Sequence, residues 1–295
     1  MLNYLLLALV PAAFGLNPVI ARAMVGTFEP GTLTLIRWSL SALIIGAIAV
    51  ARGRSERWSA SPRLIIELSL LGVLGMGFCA FAAYTGVKST TATAVGLIYS
   101  TTAALVAAYE IARGRTKPSL ALTAGILICL FGVATLIMRG DVTAFAALQL
   151  GAGELWAVAG TLGWVTYTLA MRTRGTAMSP LPMFALMSTA GALAVVPIAG
   201  MELSETPLPT LHWIHSVWIS ALVLITGVGA YMGYNLSLAR NGPILTAASL
   251  SLSPFYIAGL AVMLIGEDVA WYHGVAIVLV TVGLGFIQFA RLKSK

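Results

Sequence analysis

Arg240-Asn-Gly-Pro243 leads into an unbroken apolar run, Ile244–Ile265, that stops at Gly266-Glu267-Asp268. A helix needs roughly 20 such residues to cross a bilayer, so this run is long enough. At its middle stands Ser249-Leu-Ser251-Leu-Ser253-Pro254-Phe-Tyr256. Pro254 removes an amide donor and frees the carbonyl of Leu250, so a local break is expected there. Such a break is tolerated in a membrane only where protein or a wet cavity covers it. A twin of the segment lies 152 residues earlier: Lys88 stands opposite Arg240, Thr101-Thr102 opposite Ser253-Pro254, and Gly114-Arg115 opposite Gly266-Glu267. Duplicated, interrupted membrane helices are a sequence pointer to a transport site.

Composition agrees. Of 295 residues 59% are apolar and 9% charged, against about 25% charged in a soluble domain. Mean hydropathy is +0.94. Ten spans are predicted, at 3–22, 31–51, 64–87, 89–110, 119–138, 154–171, 181–201, 213–239, 244–265 and 270–290. The first is read as a helix rather than a signal peptide. No basic residue precedes it, and it is longer than a signal core. With the N-terminus cytoplasmic, the cytoplasmic loops hold Arg52, Arg54, Arg57, Arg63, Arg113, Arg115, Lys117, Arg172, Arg174, Arg240, Arg291, Lys293 and Lys295. The other side holds only Arg22, Lys88 and Arg139, which fixes the orientation by the positive-inside rule. The net charge of +7 is thus topogenic and gives no patch for nucleic acid. Glu29, Asp141, Glu202, Glu205, Glu267 and Asp268 fall mostly outside, and Trp58, Trp156, Trp213, Trp218 and Trp271 form an interfacial belt. Cys79 and Cys129 sit in apolar segments as packing residues, with no metal or disulfide pattern.

The two halves repeat. Phe14 matches Trp164, Arg22 matches Arg172 and Pro30 matches Pro180 at an offset of 150, and Gly75-Met-Gly77 matches Gly227-Val-Gly229 at 152. Each half has five spans, an odd number, so the second enters the membrane upside down. The expected fold is an all-α polytopic membrane protein of two inverted five-helix repeats, residues 1–140 and 150–295, with a site at the midplane between them.

Phe14-Gly-Leu-Asn17 resembles the W-G-x-N opening of the EamA domains of the drug/metabolite transporter superfamily, and Ala159-Gly-Thr-Leu-Gly-Trp164-Val-Thr-Tyr167 resembles its second-domain counterpart. Thr246 to Pro254, running on to Leu264-Ile-Gly266-Glu267, is similar to the family's L-x-P…G-E helix. The resemblance covers the whole chain and implies a ten-helix exporter of a bacterial inner membrane with both ends cytoplasmic. Within the superfamily it lies nearest the exporters of aromatic amino acids. The first copy departs from the pattern at Thr102, where proline is usual, and at Arg115, where glutamate is usual.

Pro11 and Pro18 free the carbonyls of Leu7 and Phe14 around Asn17. Two readings stand: a polar notch on a substrate path, or a kink with Asn17 bonded to a neighbouring helix. Phe78, Tyr84, Tyr99, Trp164, Tyr167, Tyr231, Tyr234 and Tyr256 give ring faces, and Thr101, Thr102, Asn235, Ser249, Ser251 and Ser253 give neutral polar groups. Asn17, Phe78, Tyr84, Tyr99, Thr101, Thr102, Trp164, Tyr167, Tyr234, Ser249, Ser251, Ser253 and Tyr256 are the candidate substrate-binding residues. Pro11, Pro18, Pro254, Gly75, Gly77, Gly227 and Gly229 are candidates for helix breaks and gating, the glycines serving close packing first.

No Asp, Glu, Lys or His falls at mid-span; Arg37 is the deepest charge, and its guanidinium is expected to reach the outer interface. Proton-coupled carriers keep a buried carboxylate or histidine. The expected activity is therefore facilitated export of aromatic and other neutral amino acids through an uncharged central cavity, without cofactor. The alternative is a broader, proton-coupled efflux carrier of drugs and amphipathic metabolites. G-x-S-x-G and H-E-x-x-H are absent, which argues against an enzyme.

Overall fold

The computed structural model describes residues 2–53, 61–140, 151–171 and 178–293. Arg54, Arg57, Trp58, Asp141, Arg172, Arg174 and Lys295, all used in the sequence reading, lie outside them. Among the described residues the chain is helical throughout, with no strand. Ten helices follow in order: α1 Leu2–Ala23, α2 Pro30–Ala51, α3 Pro62–Ser89, α4 Ala92–Ala112, α5 Leu120–Ile137, α6 Ala152–Met171, α7 Pro180–Glu205, α8 Trp213–Gly242, α9 Leu245–Ile265 and α10 Trp271–Lys293. Nine have the length and apolarity of a membrane crossing, with hydropathies of 1.4 to 2.5. The tenth, α6, is 20 residues long and is diluted by Glu154, Gly160, Gly163 and three threonines. The chain is a multi-pass membrane protein.

The ends of the predicted spans hold to a few residues, and local chemistry sets the differences. α4 starts at Ala92 because Thr91 caps it, its hydroxyl accepting from Ala94 N at 3.0 Å. Prolines open α2, α3 and α7, where the missing amide hydrogen costs nothing. α8 and α9 part at Gly242, whose φ of 75° turns the chain back. Asn241 there donates to the Asn3 carbonyl at 3.3 Å, so the α8–α9 turn lies on the face where α1 begins. We call this the termini face and the opposite one the far face.

The pairing of helices shows the inverted repeat. α2 packs along α7 and α5 along α10. α1 lies against α8 and α9, and its counterpart α6 against α3 and α4, while α4 meets α9 between the halves. Exchanging the halves leaves this set of contacts unchanged. Small residues permit the closest approaches: a β-carbon on Gly125 of α5 would stand 2.7 Å from the Gly283 carbonyl of α10.

Both interrupted helices are present. α4 breaks at Thr101, whose N–H reaches back only three residues to the Ile98 carbonyl at 3.1 Å. α9 breaks across Ser251-Leu252, with the same short bonds from Ser251 to Ala248 and from Leu252 to Ser249, and Pro254 restarts the helix. The paired G-x-G motifs hold more than thin packing faces. Val73–Phe78 in α3 and Ala221–Gly229 in α8 are π-helical, one in each repeat and overlapping at the 152-residue offset. π-Segments of this kind widen a helix locally and collect at functional sites.

α1 and α4 are more buried toward the far face than toward the termini face. In α1 the far-face residues Pro18, Val19, Ile20 and Ala21 are buried, whereas Asn3, Tyr4, Leu5, Leu9 and Phe14 toward the termini face are exposed. In α4 every residue from Ala92 to Ile98 is buried.

Candidate functional site

The site is built around α1. Asn17, one turn beyond Phe14, turns its side-chain carbonyl toward α2 and α3. It accepts from Arg37 Nη1 at 2.6 Å and from the Tyr84 hydroxyl at 3.0 Å. Arg37 Nη1 also lies 2.6 Å from the Tyr84 oxygen, and Nη2 donates to the Thr226 carbonyl in the π-segment of α8 at 3.2 Å. The guanidinium carbon sits 4.5 Å above the Trp38 ring. Arg37 is only 6% exposed, so the expectation that its charge reaches the interface is overturned. It stands about 10 Å along α2 from Pro30, at about 1.5 Å per residue. Three polar partners on α1, α3 and α8 draw it inward rather than outward. An isolated ion at this depth costs several kcal/mol, which these dipoles offset in part. Of the two readings of Asn17, the bonded neighbour is present, and the neighbour is a cation.

A second cluster surrounds the opposite end of α6. Trp164 stacks on Tyr167 at 4.7 Å and 25°. The Tyr167 hydroxyl lies 3.9 Å from Met187 Sδ of α7, and its ring covers Gly75 of the α3 π-segment. Phe78, 37% exposed, packs beside Gly163 of α6. Tyr99 donates to the Cys79 carbonyl at 2.6 Å against Gly160, and Tyr84 is fully buried behind Asn17. Tyr234 meets Phe14 edge-on at 6.3 Å, and Tyr256 packs over Gly15 of α1. Tyr231 stacks on Phe184 and donates to the Pro180 carbonyl at 3.0 Å.

The candidate hydroxyls are turned to their own helices. Thr101 donates to the Ile98 carbonyl at 2.6 Å, Thr102 to Tyr99 at 2.7 Å, and Ser249 to Thr246 at 2.8 Å. Ser249 and Ser251 are buried and Ser253 is half-buried at the restart of α9. Pro11, Pro18 and Pro254 are buried as well. Gly77 lies against the Gly191 carbonyl and Gly227 against Ser41, while Gly229 meets only its own helix. Cys79 and Cys129 are free and buried in different helices.

Sequence reasoning placed Glu202 and Glu267 on the outer side but missed their role as caps of other helices. Gly266, at φ 63°, ends α9 in a left-handed turn that lets Glu267 N reach the Ala261 carbonyl at 3.1 Å. The Glu267 carboxylate then accepts from Ala92 N at 2.8 Å and Thr93 N at 3.0 Å, closing the positive end of α4. Glu202 at the end of α7 does the same for α2, accepting from Gly31 N at 2.9 Å and Thr32 N at 2.7 Å. Glu154 accepts from the Thr90 hydroxyl at 2.6 Å, and Lys88 pairs with Glu29 at 2.6 Å. On the termini face Gly114 repeats the left-handed turn at φ 67°, but Arg115 follows it and leans back to Glu110 at 3.7 Å. The departure at Arg115 therefore removes a cap from that face. A G-E pair 152 residues from a G-R pair was the available signal.

The EamA-like transporter family matches residues 1–138 and again 151–289. The chain is a member of that family, a two-repeat membrane transporter of small molecules. An "Uncharacterized transporter" of Archaeoglobus fulgidus is 21% identical over 282 residues, 96% of each chain. One solved crystal structure superposes with a TM-score of 0.64 at 17% identity, over 98% of this chain and 96% of that one, a likeness of fold.

Proposed function

We propose that the protein exports neutral amino acids, aromatic ones foremost, or closely similar small metabolites, as exporters of the YddG type do. The two repeats exchange roles so that a site between them opens to each face in turn. The observation that carries this reading is the meeting of the two broken helices, α4 and α9, between the halves. Pro254 leaves the Leu250 carbonyl at the α9 break without its usual helical donor, an acceptor for an ammonium group, and Trp164, Tyr167, Phe78 and Tyr234 offer ring faces to an aromatic side chain. No Asp, Glu or His among the described residues lies at mid-membrane, which favours downhill movement over proton coupling. The excess of Lys and Arg on the termini face favours a bacterial inner membrane with both ends in the cytoplasm.

Purified protein in liposomes is expected to move labelled tryptophan or threonine down a gradient with no pH difference. Flux that appears only with an imposed proton gradient sinks the facilitator part. No flux of any amino acid sinks the substrate class.

A further inference from the structure

We propose that Arg37 and Asn17 form the seat for a single substrate carboxylate, which makes the carrier selective for monocarboxylates over the matching amides and amines. The amino acid case rests on the function proposed above; the carboxylate seat does not.

Three observations support the seat. The Arg37 guanidinium is buried with no acidic partner among the described residues, its charge met only by an amide, a phenol, a backbone carbonyl and a ring. Its Nε has no partner at all. Half-buried Asn17 spends its carbonyl on Arg37 and Tyr84, leaving its amide NH2 as a free donor beside the guanidinium.

The repeat supplies an internal control. At the offset of 150, Arg37 corresponds to Met187 and Asn17 to Tyr167, and these two touch as well, sulfur to hydroxyl. The same α2–α1 contact is thus built in α7–α6 without any charge. Packing does not require a cation here. A guanidinium is the side chain that best matches a carboxylate, two parallel N–H groups to two oxygens. One fixed positive charge balances one negative charge, which favours a monocarboxylate over a phosphate dianion.

The test is competition against labelled tryptophan efflux from proteoliposomes, using tryptophan, tryptophanamide, tryptamine, indole-3-acetate and indoxyl phosphate. Wild-type protein is expected to prefer tryptophan over its amide and tryptamine by at least tenfold. Arg37→Gln, checked for a monodisperse profile and an unchanged melting curve, is expected to lose that preference. Equal competition by acid and amide in wild-type protein overturns the proposal, as does an Arg37→Gln variant that keeps the tenfold preference. Should Arg37→Gln fail to fold, the wild-type comparison decides alone. With tryptophan immobile, direct uptake of labelled indole-3-acetate that is lost in Arg37→Gln would refute the amino acid reading and keep the seat. Preference for indoxyl phosphate, or failure of every carboxylate to move or compete, overturns the seat itself.

Discussion

Arg37 Nη1 lies 2.6 Å from Asn17 Oδ1, and one repeat later the same two positions are Met187 and Tyr167, 3.9 Å apart through sulfur and hydroxyl. One half of the protein holds its first two helices together with a charge, the other with a thioether. Asn17→Leu is expected to strip the guanidinium of one of its two shortest bonds and to destabilise the protein by about 2–3 kcal/mol, since a hydrogen bond to a charged group is lost in a buried place. Met187→Leu conserves volume and is expected to cost less than about 1.5 kcal/mol. Thermal unfolding in detergent measures both, and equal losses would contradict the asymmetry.

Trp164→Ala and Ser253→Leu are each expected to abolish transport while leaving expression intact. The first removes the ring stacked on Tyr167, and the second puts a branched apolar group at the restart of α9. Normal flux in both would show that the path runs elsewhere.

Glu267→Ala is expected to free two N–H groups at the start of α4 and to cost about 1 kcal/mol, the usual worth of an N-terminal cap. The far face should loosen with it. A cysteine at Ala23, which lines a 620 Å³ depression beside Glu267, is expected to react several-fold faster with a membrane-impermeant maleimide in this variant. Cys79 and Cys129 are buried and should contribute little background. An unchanged rate would mean that the cap does not hold the face shut.

Gly125→Leu is expected to prevent close packing of α5 on α10, because a β-carbon there already stands 2.7 Å from the Gly283 carbonyl and 2.9 Å from Ile287 N. Backbone cannot move aside as a side chain can, so the yield of folded protein should fall sharply. Gly274→Leu, where nothing lies within 4 Å, is the matched control.

Much of the fold was legible in the sequence because membrane helices announce themselves by length and because the repeat left paired marks. Pro254 and Thr101-Thr102 located both breaks, since a lost amide donor and side chains able to bond their own carbonyls act within a single turn. The direction of Arg37 was not legible. A long side chain near a helix end can reach the interface or fold inward, and the choice was made by Asn17, Tyr84 and Thr226, which other helices supply. The same holds for Glu267, whose acceptor role exists only because the start of α4 lies beside it. The inward turn of Thr101, Thr102 and Ser249 toward their own carbonyls follows from proximity: the acceptor three residues back is the nearest one available.

The unequal ends of α4 and α9 have a consequence for the cycle. Were the repeats identical in every residue, the empty carrier would spend equal time facing either way. Two glutamate caps, on Glu202 and Glu267, act on one face only, and at about 1 kcal/mol each they would shift that balance by roughly thirtyfold. Under the alternating cycle proposed above, an unloaded molecule is expected to rest with its mouth toward the termini face, ready to be filled from that side, and each delivery to the other would first break open two capped helices.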